Sequence, residues 1–72
     1  MISTGKYRHY KGKEYEVLGM ALHSETLEKM VVYKPLYLTP EFPENTMWVR
    51  PLAMFTETIL VDGVEIERFK KI

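Results

Sequence analysis

The sequence predicts an all-β domain: a small, strongly curved antiparallel sheet with one short helical turn near residues 51–55. Three observations predict it. At least five short runs rich in Val, Ile, Leu and Tyr crowd between Lys6 and Phe69 of a 72-residue chain. Turn clusters close them: Tyr10-Lys11-Gly12, His23-Ser24-Glu25-Thr26, Thr39-Pro40-Glu41-Phe42-Pro43 and Val61-Asp62-Gly63. Residues of one run recur with the two-residue period of a strand that buries one face.

Residues 1–5 are small and polar and are expected to fray. Strand one is expected over 6–10, and Gly12 supplies the positive φ of a tight turn. Strand two is expected over 14–23. Tyr15 and Val17 share one of its faces, with Glu14 and Glu16 opposite. Gly19 interrupts the following apolar run and marks a bulge or bend where a long strand curls; it also counts against a helix over 14–22. Ser24 to Glu28 form a hairpin loop. Strand three is expected from Lys29 to Leu38, with Val31, Tyr33, Pro35 and Tyr37 on one face. Pro35 cannot donate to a ladder and must sit at a bulge or an unpaired stretch. A loop with two prolines covers 39–45. Strand four is expected over 46–50, and Pro51 is placed to open a helical turn over 51–55. Strand five, 57–61, turns at Asp62-Gly63 into a sixth strand over 64–69, the strongest hairpin signal in the chain. The architecture that fits is an SH3-like barrel, one domain over 1–72. An OB-type barrel normally needs a longer chain and a full helix.

Composition narrows the function classes. There is no cysteine, which excludes disulfides and thiolate metal sites. Ten basic and ten acidic side chains balance, arguing against indiscriminate binding to nucleic acid or anionic lipid. No apolar run approaches the roughly 18 residues that span a bilayer, and the first residues lack the parts of a signal peptide. A cytoplasmic protein without membrane contact is expected. The charge is nonetheless clustered: Lys6, Arg8, Lys11 and Lys13 near the start, Arg68, Lys70 and Lys71 at the end. In a small barrel with adjacent termini these merge into one basic patch.

No residue set demands a particular chemistry. His23-Ser24-Glu25-Thr26 holds the residue types of a hydrolytic triad, but adjacent turn positions diverge rather than converge. His9 and His23 are the two histidines and show no metal-ligand spacing, so no metal and no cofactor are expected. The four glycines are isolated and form no phosphate loop. The group with most to offer is aromatic. Tyr33, Tyr37 and Trp48 are candidates for one surface, with Arg50 on the strand face of Trp48. Trp48 is expected first of all to fill core, as large rings do in so short a chain.

Tyr7, His9-Tyr10-Lys11-Gly12, Tyr15-Glu16-Val17, His23-Ser24-Glu25-Thr26, Val32-Tyr33, Leu36-Tyr37, Trp48-Val49-Arg50-Pro51 and Met54-Phe55 occur in that order. Together they resemble the bacterial family of domain of unknown function 1653, from about Lys6 to Phe69. The resemblance implies a stand-alone bacterial domain without an established reaction. This chain departs from the pattern at Leu27, where a glycine is expected, and in a longer 39–46 loop. The functional expectation is a noncatalytic interaction module that binds a peptide or partner protein through Tyr33, Tyr37, Trp48 and Arg50. The alternatives are single-stranded nucleic-acid binding through Lys6, Arg8, Lys11, Lys13 and Lys70, and a small-ligand pocket or enzyme using His9 or His23.

Overall fold

A computed structural model describes residues 2–72, leaving Met1 outside the described residues. The strands are β1 (Gly5–His9), β2 (Glu14–Leu22), β3 (Lys29–Pro35), β4 (Trp48–Pro51), β5 (Thr58–Val61), β6 (Val64–Glu67) and β7 (Phe69–Lys71), with the helical turn α1 (Leu52–Phe55) between β4 and β5. Five strands form an antiparallel sheet in the order β4-β3-β2-β1-β7, and β5-β6 is a separate hairpin. The fold is all-β, as the strand-rich sequence predicts. Among the described residues no helix is long and apolar enough to cross a membrane.

The sheet rolls up without closing. β4 and β7 are its opposite edges, which a flat five-stranded sheet would hold about 19 Å apart. Yet the Arg50 guanidinium of β4 lies 5.4 Å from the ring centre of Phe69 on β7. Tyr33 on β3 reaches the same ring at 5.9 Å. A bulge assists the curl: the β2–β3 register shifts between Val17 and Gly19, inserting Leu18. The concave face carries Tyr7, Val17, Val31, Tyr33 and Phe69, and α1 sends Phe55 into the middle; these six are the buried core. Phe55 and Phe69 stack in parallel at 4.2 Å. Tyr7 meets Phe55 edge-on at 5.6 Å.

Element boundaries differ from expectation where one backbone group decides them. β3 ends at Pro35 rather than Leu38: proline offers no N–H of its own, and Leu36 N–H makes a single further bond to Glu14 O (2.9 Å) before the chain leaves the sheet. Pro51 ends β4 with φ −53° and ψ 137° and stands just before α1 rather than inside it. The last strand is two strands, so the described residues form seven where six are expected. Arg68 interrupts it: its N–H donates to Glu57 O (3.1 Å) while its carbonyl accepts from Tyr10 N–H (2.9 Å). At that residue the chain leaves the β5–β6 hairpin and joins β1. Of the residues expected to fray, Met1 lies outside the described residues, and Ile2, Ser3 and Thr4 make specific contacts. Ile2 packs on the core, the Tyr7 hydroxyl donates to Ser3 O (2.8 Å), and Lys71 Nζ donates to Ser3 Oγ (2.8 Å) and Thr4 O (2.9 Å).

Candidate functional site

Register places the site. Tyr33 pairs with Trp48, Val31 with Arg50 and Tyr15 with Pro35, so these side chains share the concave face. Beyond Pro35 one further backbone bond to β2, from Leu36 N–H to Glu14 O (2.9 Å), is made before the chain swings out as a loop. Thr39 Oγ1 accepts Glu41 N–H (3.3 Å), Thr46 Oγ1 donates to Pro43 O (2.6 Å), and Asn45 takes φ 66°, a left-handed turn that asparagine tolerates. The loop brings Tyr37 and Phe42 back over the sheet. The result is a concavity of about 470 Å³ whose walls include Tyr15, Tyr37, Phe42 and Trp48, with Tyr33 beneath them.

Its geometry is specific. Phe42 meets Trp48 edge-on, ring centres 4.9 Å apart. The Tyr15 and Tyr37 hydroxyls hydrogen-bond at 2.9 Å. Burial, and then that bond, push the Tyr15 phenol pKa well above its ordinary value, so the Tyr15 hydroxyl keeps its proton at physiological pH. Lys13 Nζ sits 4.5 Å over the Tyr37 ring.

All four expected surface residues, Tyr33, Tyr37, Trp48 and Arg50, border this one concavity. Their exposure corrects two details. Trp48 is not core: it remains 38% exposed because β4 is a sheet edge with no sixth strand to cover it. Tyr33, by contrast, is only 7% exposed and forms a floor rather than a free surface. Sequence reasoning did not place Tyr15 or Phe42 in the site, and it assigned Lys13 to the basic cluster rather than to this concavity. The face shared by Tyr15 and Val17 was the available signal for Tyr15. Phe42 arrives through a loop whose path no periodicity describes.

The two basic clusters adjoin where the terminal strands pair, and a carboxylate engages two of their members. β1 pairs with β7, and Arg8 lies opposite Lys70. Lys6 and Arg8 both contact Glu14 (3.9 and 2.9 Å), and Lys34 contacts Glu16 (3.7 Å). Lys11 stands 5.8 Å from the Tyr10 ring, and Lys13 belongs to the concavity. The histidines are also apart, near opposite ends of β2, a strand on the order of 25–30 Å when straight. His23 Nδ1 accepts the N–H groups of Glu25 (3.2 Å) and Thr26 (3.4 Å), a turn-closing role. His9 Nδ1 accepts Lys11 N–H (3.2 Å), and its ring lies edge-on to Phe69 at 4.9 Å. Burial, and then the charges of Arg68, Arg50 and Lys11, hold its pKa below the ordinary 6.5. Among the described residues no three His, Asp or Glu converge on a point suited to a metal.

Comparison with known proteins places the chain. The model of a protein family of unknown function, DUF1653, matches residues 5–71. The chain belongs to the DUF1653 family. A crystal structure of a DUF1653 protein from Bordetella bronchiseptica is similar to it, with a TM-score of 0.87 and 38% sequence identity over 99% of this chain and 87% of that one. No curated protein matches. DUF1653 carries no assigned function, so the concavity itself has to supply the functional argument.

Proposed function

We propose that this DUF1653 domain is a noncatalytic, cytoplasmic bacterial interaction module that binds an extended peptide or a partner's loop in the aromatic concavity. Trp48 and Tyr37 are its walls, Tyr33 its floor and Arg50 its polar anchor. The carrying observation is Trp48, an exposed indole held edge-on by Phe42 above a preformed hollow. Rigid, half-exposed aromatic rings supply contact area at little entropic cost and dominate interface energetics. The edge position of β4 also leaves backbone groups free for an added strand.

The test is selection from a random peptide library displayed on phage. The wild type enriches a consensus. Trp48→Ala and Tyr37→Ala, each with an unchanged β-sheet spectrum, lose about 2 kcal/mol or more of its binding, roughly 30-fold. Enrichment of nothing, or of peptides that bind the Trp48→Ala variant equally, rejects the proposal. The nucleic-acid reading is the weaker one, since Glu14 already engages Lys6 and Arg8, two of the five cations that phosphates would need.

A further inference from the structure

Arg50 stands apart from the other cations. Its side chain points inward from β4, is half-buried, and lies over Phe69 with its guanidinium carbon 5.4 Å from the ring centre. Arg8, Lys6, Lys34 and Arg68 each face a carboxylate. Arg50 forms no salt bridge and no side-chain hydrogen bond among the described residues. A guanidinium withdrawn from water normally finds an acid, because an unpaired charge in low dielectric is costly. Among the described residues no buried side-chain nitrogen lacks a partner, so the unbonded Arg50 nitrogens stay open to solvent. Lys13 borders the same hollow, held over Tyr37 and likewise without a carboxylate. Glu41 supplies the single acid of the lining and pairs with neither.

We infer that the concavity recognises a carboxylate: the peptide it binds presents an acidic side chain or its C-terminal carboxylate to Arg50 and Lys13, beside an apolar residue laid against Trp48. This rests on the interaction reading above and specifies its ligand. Charge matching favours a carboxylate over a phosphate ester. Two cations against one lining acid leave a surplus of one positive charge, which a single negative charge neutralises. The planar Arg50 fork suits bidentate contact with a carboxylate, and its cation–π contact with Phe69, 5.4 Å from the ring centre, holds the charge beside that ring. The Tyr15–Tyr37 hydroxyl pair supplies further neutral polar contact at the same wall.

A positional-scanning peptide library made in two forms, with free and with amidated C-termini, tests this. The wild type should prefer Asp or Glu at a fixed distance from an aromatic or aliphatic position, or prefer the free C-terminus; the two forms separate these sources. Replacing the acid by its amide in a selected peptide should weaken binding roughly 10- to 100-fold, the range of a charge-assisted hydrogen bond. Arg50→Gln should erase the acid preference while keeping the apolar one. Arg50→Lys should restore it in part, and Lys13→Gln, at an exposed loop position, should reduce it without touching the core. Glu41→Gln should strengthen binding of the same peptides. Selected peptides without any acid preference, or an acid preference indifferent to Arg50 and Lys13, overturn the carboxylate assignment while leaving the interaction reading intact. Failure to select any peptide overturns both.

Discussion

Leu27 shows how one residue sets the form of a turn. It adopts φ 61°, the left-handed region, and its N–H donates to His23 O at 2.8 Å. The glycine expected there is what the backbone favours; leucine keeps the turn and bears roughly 1 kcal/mol of steric cost. It is 67% exposed, so little packing opposes its removal. Leu27→Gly should therefore raise stability by up to about 1 kcal/mol, or several degrees in Tm for a domain of this size. A lower Tm in a thermal melt refutes the strain assignment. His9 makes a second residue-scale prediction. Its folded pKa lies below the ordinary 6.5, so below that pH the unfolded chain takes up a proton that the folded chain resists. The stability it contributes is complete above 6.5 and is lost as pH falls from there through the folded value. Urea titrations between pH 7.5 and 5.5 should show falling stability in the wild type and a shallower fall in His9→Gln.

Glycines act at the scale of elements, and they do not act alike. Gly12 (φ 103°) and Gly63 (φ 81°) occupy turn conformations that L-residues avoid. Asp62 and Gly63 both have positive φ, as a two-residue hairpin turn requires, and Val61 pairs directly with Val64. Gly19 sits at the β2 bulge without positive φ, and a Cβ there would meet nothing within 4 Å. The bulge consequently does not depend on glycine. Gly19→Ala should hold or gain stability by about 0.5 kcal/mol through a less flexible unfolded chain. Gly63→Ala should lose about 1 kcal/mol or more. Equal effects on the urea midpoint would contradict this distinction. Elements fixed by local chemistry were legible in the sequence: the Asp-Gly hairpin, the Gly12 turn and the single helical turn; the bulge beside Gly19 was legible in place though not in cause. Those fixed by tertiary pairing were not. Nothing in Ile66-Glu67-Arg68-Phe69 announces that Arg68 breaks the strand, because its partners Glu57 and Tyr10 lie 11 and 58 positions earlier in the chain.

At the scale of the whole molecule, a rolled sheet gives the core and the concavity the same wall. Tyr33 contacts Phe55 and Phe69 on its buried side (5.4 and 5.9 Å) and floors the hollow under Trp48. Alternation could place Tyr33, Trp48 and Arg50 on related faces. It could not say which lie under the fold and which at its edge, since that depends on the absence of a strand beside β4. The core is small: among the described residues six side chains are buried, and the radius of gyration, 12.8 Å, exceeds the roughly 11 Å typical of a compact chain of this length. Such a domain has on the order of 3–5 kcal/mol of stability. Phe55 is 1% exposed and is the contact by which α1 closes the open side of the roll, stacked on Phe69 and touching Tyr7 and Tyr33. Truncating a buried Phe to Ala removes about 3–5 kcal/mol, as much as the domain possesses. Phe55→Ala should consequently be unfolded at 25 °C, with no cooperative urea transition. Phe55→Leu keeps most of the volume and should fold with a lower midpoint. A folded Phe55→Ala variant with a near-wild-type midpoint would show that the strand ladders hold the roll without the ring stack, and that the concavity's floor does not depend on α1.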